Sequence, residues 1–278
     1  MRNEKQVIYE ILNFAENNDM VRAVIWNGSR VNSNAPKDKY RDYDVIFAVT
    51  DPEYFLRNQA WIEKLGELII MQQNDFYEEN VKSYIFLMLF KDGVRIDLTF
   101  FPVEHISLKY KDSLKVLLLD KDNKIPKFDS SNESYYVTRK PSKKQYDETI
   151  NNFWWCATNV AKGICRKELS YTKYMFDAVV REEIITVVAW YIGANNNWSV
   201  NPGKLGKWFE KYLPSELWSL MEKTYSSCDY EETWRSLLAA CKLISIVGPK
   251  VAENLGYDYP VEDDKNVTKY LKKLQELS

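Results

Sequence analysis

The sequence predicts an α/β (α+β) domain built on a mixed sheet, followed by an all-α domain. Three observations lead there. The first half alternates between segments of helical and of strand period. Lys91-Asp92-Gly93 joins two β-rich runs, and an Asp-Gly in that place is a strong hairpin signal. After Tyr146 the pattern is helical almost throughout.

In chain order, Glu4–Glu16 places Val7, Ile8, Ile11, Leu12 and Ala15 on one helical face. Residues 21–26 are a short apolar run that stops at Asn27-Gly28-Ser29, a strand entering a turn. Tyr43–Val49 reads as a second strand and 68–72 as a third, with a helical stretch at 55–65 between them. The hairpin arms are 83–90 and 94–101. Residues 121–144 are polar and carry Pro126 and Pro141, the composition of a linker or surface excursion. Helices are expected at 147–167, 171–193, 204–212, 214–224, 230–255 and 264–277. The second of these is closed by Gly193 ahead of Asn195-Asn196-Asn197. The expected domains are therefore 1–145 and 146–278.

With 278 residues, 45% of them hydrophobic and 28% charged, the chain can bury two ordinary cores. Its net charge of −2 gives no general basic field for nucleic acid, and no nucleic-acid partner is expected. One histidine, His105, disfavours His-based triads and multi-His metal sites, so catalysis must lean on carboxylates, lysines, hydroxyls or metal. Cys156, Cys165, Cys228 and Cys241 form no Cys-x-x-Cys pair, and scattered thiols fit a reducing compartment. The opening residues lack the apolar core of a signal peptide, and no run is long enough to span a bilayer. A cytoplasmic protein with no membrane partner is expected.

Three short pieces carry the chemistry. Asp42 and Asp44 flank Tyr43 at the opening of a strand, and residues two apart on a strand share a face. Paired carboxylates repel and resist desolvation, penalties that a divalent cation removes. Asp97 interrupts the apolar strand Arg95-Ile96-Asp97-Leu98-Thr99, where a lone carboxylate is costly. Placed beside the Asp42 strand, it completes a trio able to hold one or two Mg2+ ions, or to reserve one carboxylate as a general base. Gly28-Ser29 ends the first strand, where backbone amides and the Ser29 hydroxyl can cradle phosphate oxygens, with Arg30 as an added cation. Each piece alone has an ordinary reading as a turn, a solvated edge or an ion pair; their order in the chain is the specific signal. Phosphoryl-type transfer needs positioned phosphates, metal and an in-line nucleophile, and these pieces supply that set.

In these motifs the sequence resembles the polymerase-β-like nucleotidyltransferases. Among them it is most similar to the aminoglycoside 6-adenylyltransferases, the streptomycin-modifying group. The resemblance runs along nearly the whole chain. Beyond the three motifs it includes Leu87-Met88-Leu89-Phe90, Leu117-Leu118-Leu119-Asp120-Lys121-Asp122, Lys162-Gly163-Ile164-Cys165-Arg166-Lys167-Glu168 and residues 214–218. It implies a nucleotidyltransferase catalytic domain, a helical substrate-binding domain, and the substrate held between them. It also implies that a monomer transfers AMP from ATP, the co-substrate, to a streptomycin hydroxyl, which confers antibiotic resistance. By that analogy Asp42 and Asp44 hold magnesium, and Asp97 is the base or a third ligand.

Other acceptors fit the same motifs: a different small molecule, a protein side chain or an RNA end. A non-catalytic nucleotide-binding module would be expected to have lost a carboxylate, and all three are present. Lys162 and Arg166 share a helix face, placed either to reach the ATP triphosphate or to complement the helix dipole. Asp177, Glu182 and Glu183, with Trp154, Trp155 and Trp190 nearby in sequence, are candidates for holding a cationic acceptor. Their ordinary alternatives are a solvated face for the acids and core packing for the tryptophans.

Overall fold

The computed structural model describes residues 1–277; Ser278, the end of the expected helical domain, lies outside them. The chain divides into two compact units between Tyr135 and Tyr136. That divide falls inside the polar segment 121–144 rather than at 145/146. Tyr135 lines a cavity of the first unit. Thr138 already donates its amide to the Val200 carbonyl of the second.

The first unit begins with α1 (Glu4–Glu16), capped by Asn3 and Gln6 in a reciprocal capping box. β1 (Val21–Asn27) and β2 (Tyr43–Val49) follow. The expected 55–65 helix is two pieces, α2 (Pro52–Arg57) and a 3-10 turn Gln59–Leu65, interrupted at extended Asn58. β3 (Leu68–Glu78) is longer than the expected 68–72, because it pairs along its length with β4 (Val81–Phe90). β5 (Arg95–Pro102) completes the expected hairpin. A 3-10 segment, Val103–Lys111, leads to β6 (Lys115–Asp120), a strand absent from the sequence reading.

The sheet order is β3-β4-β5-β2-β1-β6. Only β2 and β5 run parallel; every other pairing is antiparallel, so the sheet is mixed. On one face, Val7, Ile11 and Phe14 of α1, with Phe55 and Trp61, cover Val45, Phe47, Ile96, Leu98 and Phe100. A smaller cluster of Ala23, Ile25, Ile46, Ala48, Phe101 and Ile106 lies on the opposite face. Strand alternation sends Asp44, Asp97 and Thr99 to that second face, beside the smaller cluster.

The second unit is helical: α3 (Lys143–Cys165), α4 (Leu169–Tyr174), α5 (Arg181–Asn195), α6 (Phe209–Tyr212), α7 (Ser215–Glu222), α8 (Tyr230–Leu255) and α9 (Val261–Leu277). A π-helical turn, Met175–Val180, joins α4 to α5. One continuous core runs through α3, α5 and α8. The buried Tyr146 hydroxyl donates to the Gly248 carbonyl at 2.9 Å, tying α3 to α8. Among the described residues, no helix is long and apolar enough to cross a membrane.

Candidate active site

Strand register builds the site. Asn27 on β1 lies opposite Asp44 on β2, Asp44 opposite Asp97 on β5, and Asp97 opposite Leu87 on β4. Lys115 on β6 and Gln72 on β3 extend this row to both edges of the sheet. Asn27, Asp44 and Asp97 floor a cavity of about 510 Å3. Its walls come from Phe76 and Glu78 on β3, from Lys109 and Lys111 on the 3-10 segment, and from Lys115 and Tyr135.

Burial, with repulsion from Asp97 and Asp42, pushes the Asp44 carboxyl up to about 7. Burial also raises Asp42, and the Arg95 charge opposes that rise. Gly28 leaves room for the Asp44 carboxylate: its φ is +78°, and a Cβ there would sit 2.1 Å from Asp44 Oδ2. The buried Asn27 Oδ1 has no hydrogen-bond partner among the described residues.

Several expected roles change. Asp42 stands one residue before β2 begins, and Arg95 links it to Asp97. It lines a neighbouring cavity with Arg41, Tyr43 and Arg95, whereas Asp44 lines the cavity above the row. Arg30 was expected to meet phosphate. Instead its guanidinium donates to the Arg41 and Asp42 carbonyls and to Glu4, and lies 3.6 Å from the Tyr43 ring centre. Its side chain is only 8% exposed. The Gly28 amide, expected to be unpaired, donates to the Leu114 carbonyl at 3.2 Å. The Ser29 hydroxyl makes no hydrogen bond among the described residues, and Ser29 sits in a single 3-10 turn, Gly28–Arg30.

In the second unit, Lys162 is exposed on the last turn of α3, where a cation complements the helix dipole. Trp154 and Trp190 are buried in the helical core, whereas Trp155 is 68% exposed. Asp177 pairs with Lys173 at 3.0 Å. Burial raises the Glu183 carboxyl, and the Asn152 amide, donating at 2.6 Å, partly offsets this.

The sequence reading missed Arg95, Asn27 and the wall lysines. Arg95 Nε and Nη2 fork onto the two Asp97 oxygens at 2.9 and 2.8 Å, and Nε lies 3.5 Å from Asp42 Oδ2. Its spacing of two from Asp97 was a readable signal. Lys109 pairs with Glu78 at 2.6 Å, Lys111 with Glu79, and the Lys115 ammonium donates to the Asp112 carbonyl. Lys115 was hidden because β6 was not recognised, and Lys109 and Lys111 stand on the 3-10 segment Val103–Lys111, which the sequence reading also left out.

Among the described residues, no group of three or more His, Cys, Asp or Glu side chains is gathered into a ready metal cage. The donor chemistry nevertheless fits a hard cation. It is all oxygen, it combines mutually repelling carboxylates with an orphaned amide oxygen, and it includes a carboxyl that burial and like-charge repulsion raise to about 7.

Residues 1–274 match the family model described as streptomycin adenylyltransferase. The chain belongs to the streptomycin adenylyltransferase family. It is 37% identical to the aminoglycoside 6-adenylyltransferase of Campylobacter jejuni, over 95% of this chain and 93% of that one. It is 34% identical to the Bacillus subtilis (strain 168) enzyme of the same name, with 97% of each chain covered. For the Staphylococcus aureus enzyme the figures are 31% identity and 98% of each. A crystal structure of an aminoglycoside 6-adenyltransferase from B. subtilis aligns with 99% of both chains at 30% identity, with a TM-score of 0.49. As a member of this family, the chain is an adenylyltransferase whose mixed-sheet unit precedes a helical one.

Proposed function

We propose that this protein transfers AMP from ATP to a hydroxyl of an aminoglycoside, with streptomycin the expected acceptor, and so confers resistance to it. The observation that carries this reading is the cross-strand row Asn27–Asp44–Asp97 on the floor of a lysine-walled cavity, in a chain matched to streptomycin adenylyltransferase along almost its whole length.

The acceptor oxygen attacks the α-phosphorus of ATP, the bond from that phosphorus to the bridging oxygen breaks, and pyrophosphate leaves. Asp97 accepts the hydroxyl proton: its carboxylate is 17% exposed on the cavity floor, and its partner Arg95 is itself 44% exposed and so able to move. Asp42 and Asp44 would hold Mg2+, which would neutralise charge developing on the phosphates, with the Asp97 oxygen that does not take the proton able to serve as a third ligand. Lys109, Lys111 and Lys115 supply wall cations for the triphosphate, and the Ser29 hydroxyl a donor. Asn27 Oδ1 would accept a hydrogen bond from a donor of the nucleotide. For a polycationic acceptor, the helical unit offers half-buried Glu183 on α5 and exposed Trp155 on α3.

The test is pyrophosphate release from Mg2+-ATP with and without streptomycin, in parallel with Asp97→Asn. Release that requires both streptomycin and Asp97 is the expected result. Release with other aminoglycosides but not with streptomycin would replace the acceptor. Absence of release with every aminoglycoside and nucleotide tried would overturn the function.

A further inference from the structure

We propose that Arg95 is the resident countercharge of the acidic site, tying Asp97 to Asp42 and competing with an arriving divalent cation for those two carboxylates. The inference rests on reading the site as a cation-dependent nucleotidyl-transfer centre, and it gives a task to a side chain for which that reading has none.

Arg95 opens β5, and its two-residue spacing from Asp97 puts both side chains on one face of the sheet. The guanidinium engages both Asp97 oxygens in a bidentate fork, at 2.9 and 2.8 Å. The same Nε stands 3.5 Å from Asp42 Oδ2, so one cation spans two of the three carboxylates. Its charge also opposes the rise of both Asp42 and Asp44, so all three acids feel it.

A divalent ion bound to Asp97 shares oxygens that already accept from Arg95 and brings two cations close together, which weakens the fork. Arg95 is the more exposed partner, 44% against 17% for Asp97, which makes it the side chain free to swing away while Asp97 stays on its strand.

A clip that only stabilises the fold would leave metal affinity alone, and this separates the two roles. Mn2+ binding without nucleotide is measured by calorimetry on the full chain and on Arg95→Gln and Arg95→Lys, together with thermal melting in EDTA and across a Mg2+ series. Arg95→Gln is expected to melt below wild type in EDTA and to bind Mn2+ about fivefold or more tightly, and Mg2+ is expected to recover its melting loss. Arg95→Lys, which keeps the charge without the fork, is expected to fall between them, and it decides the question if Arg95→Gln does not fold.

Mn2+ affinity unchanged or weaker in the variants, with an equal melting deficit at every Mg2+ concentration, would overturn the inference while leaving the transfer reading intact. Absence of Mn2+ binding to wild type and variants alike, with ATP binding retained in EDTA, would remove the cation dependence of the site, and the inference with it.

Discussion

Asp44 and Asp97 are direct register partners on β2 and β5, a parallel strand pair in a sheet whose other pairings among the described residues are antiparallel. Two carboxylates held side by side on adjacent strands, one of them largely desolvated, are a liability in a free protein. The fold keeps them apart from its main core: Val45 and Phe47, and Leu98 and Phe100, alternate to the covered face, while the acids point to the cavity. Stability and function therefore oppose each other at this position.

That opposition predicts the behaviour of Asp44→Asn and Asp97→Asn. Replacing Asp44 by a neutral isostere removes a desolvated charge and its repulsion. In EDTA at pH 8 the first unit's melting midpoint should rise, by about 2–6 °C. Pyrophosphate release should fall at least about 100-fold in either variant. Asp97→Asn also strips Arg95 of its forked partner, so no comparable gain in melting is expected there. A loss of stability in Asp44→Asn would show that the carboxylate is a structural anchor.

The same residue sets a pH dependence. With the folded-state pKa raised to about 7, well above the ordinary carboxylate range, the folded protein binds the Asp44 proton more tightly than the unfolded chain does. Its contribution to stability is complete below about pH 4 and is lost as pH rises through 7. In EDTA, the difference in melting midpoint between wild type and Asp44→Asn should therefore widen from pH 5 to pH 8. Mg2+ should narrow it. A difference independent of pH across that range would place the group's ionisation elsewhere.

Much of this site was legible in the sequence, because strand period alone separates Asp44 and Asp97 from the apolar residues around them. Register was not legible. Periodicity says which face a side chain takes, but not which residue lies opposite, so Asn27 looked like part of a turn and the row across the sheet was invisible. β6 escaped because Lys115 and Asp120 bracket an apolar core too short to declare itself. Asp42 was read beside Asp44 from the strand period, and the Arg95 bridge that links it to Asp97 was not visible in that period. In the helical unit the long amphipathic segments were plain, yet the π-turn at Met175–Val180 carries no composition of its own.

Gly28 tests how tightly the turn is fitted to the acid. An alanine Cβ would meet Asp44 Oδ2 at 2.1 Å in a backbone conformation with φ +78°. Gly28→Ala should cost about 1–2 kcal/mol for the left-handed conformation alone, and it must also displace the carboxylate. Activity should fall at least about tenfold even in folded protein, and both effects are read by melting and by pyrophosphate release. Full activity in this variant would mean that the turn relaxes without moving Asp44.

Arg30 separates a clamp from a phosphate ligand. Its guanidinium reaches back across the turn to the Arg41 and Asp42 carbonyls, lies on the Tyr43 ring and pairs with Glu4, so it holds the chain where it delivers Asp42 and enters β2. Arg30→Ala strands these acceptors in a part-buried site and should cost about 2–4 kcal/mol. Arg30→Lys should recover little of that, since an ammonium cannot fork to two carbonyls and stack on a ring together. In the protein that remains folded, KM for ATP should stay within about twofold of wild type while kcat falls, because a loosened turn misplaces Asp42 without removing a triphosphate contact. A raised KM with unchanged melting would reverse the assignment and return Arg30 to the phosphates.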